Sequence, residues 1–167
     1  SWELPHLGQT SFENAVASPF PQVKTIVVGL DDSDAQVNPA LTTQPGEIYV
    51  YIGEKRATGN EIEKAGLVGG PLYGMRVRVG GVVVPQESNA FGFGTTSYVG
   101  SAEFELVNLG DASPFNGAAQ QTASIANDIF RTQRVEDGAW DIRPGFENDF
   151  YFVTTASGNS RLWRMRF

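Results

Sequence analysis

Residues 134–167 read RVEDGAWDIRPGFENDFYFVTTASGNSRLWRMRF, and this stretch decides the fold. Three short runs within it, GAWDI (138–142), DFYFVTT (149–155) and RLWRMRF (161–167), are rich in aromatic and β-branched residues and are set apart by Gly, Pro, Asn and Ser. Runs of this kind bounded by turn residues read as strands. At the mouth of the first run two carboxylates, Glu136 and Asp137, stand side by side before Gly138, Ala139 and the large apolar Trp140. Adjacent acids at the entrance of a buried strand repel each other and lose hydration, so a cation or solvent must compensate them.

The same pattern occurs near the start of the chain. FENAV at 12–16 resembles VEDGA at 135–139: a carboxylate, then Asn or Asp, then two small residues entering a strand. Eighteen residues after Glu13 lies Asp31, which closes one apolar run, and eighteen after Glu136 lies Thr154, which closes another. Around the first copy four runs follow one another: NAVAS (14–18), KTIVVGL (24–30), EIYVYIG (47–53) and LYGMRVRV (72–79). The last alternates, with Val77 and Val79 on one face and Arg76 and Arg78 on the other. These runs predict an up-and-down antiparallel sheet the size of one propeller blade. Over 80–116, GGVVVP and SAEFELVNLG read as strands with FGFGTTSYVG as a loop between them. Over 117–131, Ile125, Ala126, Ile129 and Phe130 recur at helical spacing with Asn116 as a cap.

The expectation is therefore a mainly β, antiparallel, propeller-like chain with one helix near 117–131. It divides into a complete blade over 1–79, an insertion over 80–116, and a helix with a partial blade over 117–167. A closed propeller needs at least four blades. The chain is thus expected to be part of something larger, or to pair its exposed edges with another chain. It opens at Ser1 without Met or a signal-peptide pattern, as expected of a processed chain or a fragment.

Composition narrows the function. With 12 basic and 19 acidic residues the formal charge is −7, which argues against a nucleic-acid phosphate binder and is compatible with hard-cation binding. No apolar run reaches the roughly 18 residues that span a bilayer. Cysteine is absent, so disulfides, thiolate sites and cysteine nucleophiles are excluded. His6 is the only histidine, and any Ser–His triad would depend on it. Trp140, Tyr151, Phe152 and Trp163 read as packing between blades.

In a propeller the first strand of every blade lines the central channel, so Glu13 and Glu136 are expected to converge. A hard cation would relieve their repulsion, and Glu13, Asn14, Asp31, Asp32, Glu136 and Asp137 all offer oxygen. Arg131, Arg134 and Arg143 could clamp a phosphate bidentately, or could pair with Glu136, Asp137 or Asp141.

The segments HLGQTSFENAVASP, VVGLDDS, GEIYVYIGEK, KAGLVGGPLYGMRV and, above all, RVEDGAWD with NDFYFVTTASGNSRLWRMRF resemble the PhoX-type phosphatase family. The resemblance implies a bacterial, exported, calcium-dependent alkaline phosphatase on a β-propeller, periplasmic or secreted, acting on a phosphate ester. It implies calcium and iron at the channel, with Glu13 and Glu136 as ligands, Asp31 or Asp32 in support, and Glu136, Glu13 and Arg134 as catalytic residues. Two departures stand out. The family's iron-binding Cys has no counterpart here, and Phe12 stands where the family's His precedes the Glu. The alternative is a non-catalytic structural or binding module with at most structural calcium. Hydrolysis of lactones or other esters is a third possibility, because fold alone does not select a chemistry.

Overall fold

KTIVVGL and EIYVYIG lack polar alternation because both of their faces are covered. In the computed structural model, which describes residues 1–32, 46–87, 100–155 and 160–167, these runs are neighbouring strands at the heart of a large sheet. Strands β1 (Phe12–Ala17), β2 (Lys24–Asp31), β3 (Gly46–Glu54) and β4 (Leu72–Val79) run up and down, each antiparallel to the one before. The register is continuous from Lys24 opposite Glu54 to Leu30 opposite Ile48.

The segment expected as an insertion belongs to this sheet. β5 (Val82–Val84) folds back on the end of β4, and β6 (Glu103–Gly110) pairs with β4 along its length. Arg76 and Arg78 of β4 share Glu105 of β6, at 3.1 and 2.9 Å. β3 and β4 stay paired only from Tyr49 to Tyr51 and then splay. The short β7 (Arg131–Thr132) fills the wedge by pairing with Gly46 and Glu47. The four-strand unit read from the sequence is thus part of a seven-stranded sheet. The loop expected over 91–100 lies, except for Gly100, outside the described residues.

Helices are few. α1 (Glu61–Lys64) is a single turn closed by an Asn60–Glu63 capping box. α2 (Gly117–Ala126) is the only described helix of seven residues or more, and Asn116 caps it by accepting the Ala119 N–H at 2.8 Å. It ends before the expected 131. Asp128 takes a left-handed φ of 51°, which breaks the helix. Ile129 and Phe130 are buried, but they leave the helix for the splayed sheet, where the Phe130 N–H donates to the Met75 carbonyl at 2.7 Å. The apolar residue Ile125 faces water, and the buried face of α2 is Gln120, Gln121 and Ser124. No helix among the described residues is long and apolar enough to cross a membrane.

β8 (Val135–Trp140), β9 (Asp149–Thr154) and β10 (Arg161–Arg166) form a second antiparallel sheet in the order β10–β9–β8. The two sheets pack face to face. Val28, Leu30, Ile48, Val50, Met75 and Val77 of the first bury against Val135, Trp140, Phe150, Phe152 and Met165 of the second. Trp163 stacks on Phe152 with centroids 5.9 Å apart, and Trp140 on the terminal Phe167 at 5.3 Å. The other face of the first sheet holds Val27, Tyr49, Tyr51 and Leu72 beneath Ala112 and Phe115.

The internal repeat is a structural repeat. Phe12 pairs with Asp31, and Val135 pairs with Thr154, so the residue before each Glu meets the residue eighteen beyond that Glu. Each first strand then carries an extra residue. The register shifts between Phe12 and Asn14 in β1, and between Val135 and Gly138 in β8. Gly138 is required here, because a Cβ would lie 2.5 Å from the Phe150 ring and 2.8 Å from the Tyr151 carbonyl. β1 and β8 come together: Asn14 Nδ2 donates to Asp137 Oδ1 at 2.8 Å, and Trp140 Nε1 donates to the Val16 carbonyl at 3.3 Å.

Candidate functional site

A β-bulge bends a strand and re-aims the side chain it carries. Both bulges fall at the repeated acid, and the two first strands are neighbours. Carboxylate oxygens of Glu13 and Glu136, with one of Asp32, consequently lie within 4.8 Å of one another. Glu13 is exposed, while Asp32 and Glu136 are half-buried. Three like charges this close repel, and a cation is present to offset part of that repulsion. Arg134 Nε donates to Asp32 Oδ1 at 3.2 Å, and its Nη2 contacts Glu136 Oε1 at 3.1 Å. Arg134 holds this position with a φ of 48°, in the left-handed region that a non-glycine residue seldom occupies. Thr155 adds a hydroxyl bond to Glu136 at 2.6 Å.

Asp32 and Thr155 are equivalent in the repeat. The Asp32 N–H donates to the Ser11 carbonyl at 2.9 Å, just as the Thr155 N–H donates to the Arg134 carbonyl at 3.0 Å. Each therefore flanks the acid of its own unit. Three carboxylates against one guanidinium leave the cluster with an excess of negative charge, open to solvent on the Glu13 side.

The remaining candidates lie apart. Asn14 and Asp137 bond to each other. Asp31 is buried on the opposite face of β2, where its Oδ1 accepts the Ser11 N–H at 3.1 Å. Arg143 is held by Asp141, whose carboxyl drops to about 2 beside the guanidinium. Arg131 donates to the Pro85 carbonyl at 3.3 Å. His6 Nε2 lies 3.8 Å from Asp111.

Sequence reasoning missed three buried acids. Glu47 opens β3 and is fully enclosed. Burial pushes its carboxyl up to about 8, against the opposing bonds from Tyr49, Gln121 and Ser124. Glu87 is equally enclosed and accepts from Arg161 at 2.5 Å, Thr154 at 3.1 Å and the Gln133 N–H at 2.9 Å. Asp149 is held below the usual carboxylate range by a two-pronged bond from Arg166, at 2.6 and 2.9 Å. Only Asp149 left a trace in the sequence, as the acid opening an aromatic strand whose neighbour ends in Arg. In comparisons with known proteins, no family model, curated protein or solved structure matches this chain.

Proposed function

We propose that Glu13, Asp32 and Glu136 form a calcium site, and that the chain is part of a metal-dependent hydrolase of phosphate monoesters of the PhoX type its sequence resembles. One observation carries the reading. Two acids at equivalent points of an internal repeat, each on a one-residue bulge, come from different sheets and meet. Propeller blades likewise set their first strands side by side about an axis, and the meeting of β1 and β8 supports a propeller-like reading of the two sheets. The outer edge of β10 is unpaired among the described residues, and Leu162 on it is 71% exposed, which suits a further strand from another segment or chain.

The donor set fits a hard cation in kind. Calcium takes about 6–8 oxygens. Three come from this cluster, and water, substrate or other segments supply the rest. Cysteine-ligated iron does not fit these residues, since the chain has no Cys. A cation here would neutralise phosphate oxygens and orient a nucleophile. Glu13, Asp32 and Glu136 would position it. Arg134, displaced from Asp32 and Glu136, would turn its planar fork to the phosphate.

A second reading, a non-catalytic module, is favoured by one contact set: Arg134 already pairs with two of the three acids. Hydrolysis of p-nitrophenyl phosphate with calcium and with chelator separates the two. The enzyme reading expects calcium-dependent turnover that Glu136→Gln abolishes. Calcium binding without turnover leaves the module.

A further inference from the structure

β10 ends its sheet. It pairs with β9 in an unbroken register from Arg161 opposite Thr154 to Arg166 opposite Asp149, and no described residue pairs with its other side. The N–H and C=O groups along such a side are a template for another strand. Edge strands that stay solitary are interrupted by Pro, by a bulge or by an inward-pointing charge. β10 has no Pro and no bulge, and the charge of Arg161, at its start, is bound to Glu87 at 2.5 Å. In the first unit β1, β2 and β3 are followed by β4, which pairs with β3 from Tyr49 to Tyr51. β8, β9 and β10 repeat the first three strands in order, and among the described residues none takes the place of the fourth.

Beside this edge lies a cleft of about 320 Å³ between the two sheets. Four consecutive residues, Leu162 to Met165, line it, so it meets the backbone of the strand and not one face alone. Its walls are Met75 and Val77 of β4, Phe104 of β6, Phe152 of β9, and Trp163 and Met165 of β10. The volume falls within the roughly 300–1,000 Å³ of built binding clefts. Glu103, an exposed acid, stands at the β6 rim.

A strand set along β10 would send every second side chain into this cleft and the others to the outer face. The inward positions call for apolar side chains, since the walls are apolar and Glu103 would repel an acid there. The outer face is basic. Leu162 is 71% exposed, and Arg164 and Arg166 follow it at alternate positions, both exposed. Arg166 grips Asp149 at 2.6 and 2.9 Å, whereas Arg164 lies 3.9 Å from that same carboxylate with half its side chain in water. An acid opposite Arg164 on the added strand would give it a closer partner. We propose that the β10 edge and this cleft bind an extended strand of a partner chain, apolar at alternate positions and acidic between them, by strand addition. The proposal extends the propeller-like reading of the two sheets by naming what adds to the open edge. It does not depend on the cation, so its test is run in chelator, where loss of the acid cluster's ion leaves the groove intact.

The test is a titration of the ¹⁵N-labelled chain with short capped peptides that alternate valine with glutamate, valine with lysine, and serine with glutamate, following the β10 backbone amides and the Trp163 indole. The valine–glutamate peptide should shift both and saturate by ~1 mM. The valine–lysine peptide should bind about threefold or more weakly, and the serine–glutamate peptide should not saturate. Arg164→Glu changes an exposed side chain and should reverse the order of the two valine peptides. The proposal is overturned if the valine–glutamate peptide does not saturate, if the serine–glutamate peptide binds as well, or if the order survives Arg164→Glu. It is equally overturned if the outward β10 amides of the free chain are already protected from hydrogen exchange, or if they shift with the concentration of the chain alone, which would assign the edge to a second copy.

Discussion

Glu13 and Glu136 begin different sheets, yet their carboxylates lie within 4.8 Å of each other. Among the described residues no backbone ladder joins the two strands, which meet through the side-chain bonds Asn14 to Asp137 and Trp140 to Val16. The approach depends on two bulges at the same point of two repeated units, and on Arg134 bridging from β8's entrance to Asp32 at the end of β2. A cluster so built should respond to changes in charge more than to changes in volume.

Arg134→Ala removes the guanidinium that offsets Asp32 and Glu136. The pair is partly exposed, so the stability cost in chelator should be about 0.2–1 kcal/mol. In the cation reading the same change removes a competitor, and calcium affinity should rise. Thermal unfolding with chelator and with calcium checks both: calcium should raise the melting temperature of Arg134→Ala more than that of the parent chain. An equal or smaller rise would make Arg134 a plain structural ion pair.

Glu47 makes stability depend on pH in a defined direction. Its folded carboxyl titrates at about 8, above its ordinary value of 4.5. Between these values the unfolded chain has lost a proton that the folded chain keeps, so stability falls as pH rises. The contribution is fully present below 4.5 and gone above about 8. Glu47→Gln keeps the bonding pattern without a charge to bury. It should flatten this slope and exceed the parent chain in stability at high pH by a few kcal/mol at most, since each tenfold change in proton affinity is worth about 1.4 kcal/mol. Urea unfolding across that pH range measures it. Asp141 and Asp149 act in the opposite sense. Their folded carboxyls are depressed, so their contribution is present above the ordinary 3.8 and is lost on acidification, for Asp141 towards about 2.

Glu87 and Arg161 are a buried pair, with 0% and 12% of their side chains exposed. Removing one partner strands the other's charge, so Arg161→Ala should cost about 3–5 kcal/mol. Glu87→Gln in the same chain should restore much of that loss, because the uncompensated charge is gone. A double-mutant cycle in urea reads the coupling. Additive losses would show that the pair is not coupled.

Gly138→Ala places a methyl against the Phe150 ring and the Tyr151 carbonyl. Overpacking of this kind costs about 1–3 kcal/mol. The change should also disturb the bulge that carries Glu136, so calcium affinity should fall with stability. Ala139, exposed in the same strand, should accept Ser with little effect on either.

Much of this was legible in residues that act locally. Strand runs, the Asn116 cap and the repeat that equates Glu13 with Glu136 follow from side-chain pattern alone. What was not legible depends on partners far along the chain. Ile125, Ile129 and Phe130 have helical spacing, but α2 buries Gln121 and Ser124 because Glu47 and Tyr49 await them across the sheet. Asp31 and Asp32 are neighbours with the same chemistry, and only the alternation along β2, fixed where Asp31 pairs with Phe12 of β1, sends one to the buried face and the other to the cluster. The strands within 80–116 were visible, but their pairing with β4 was not, because nothing local distinguishes a strand that joins a sheet from one that stands apart.

The most direct test of the cation site is a calorimetric titration of the chelator-stripped chain with calcium, beside Glu13→Gln and Glu136→Gln. The proposal predicts saturable binding of about one cation per chain, weakened at least tenfold by either substitution, since each removes a charged ligand. No saturable heat in the parent chain, or binding unchanged in both variants, would contradict it and leave Arg134 as the cluster's own counterion.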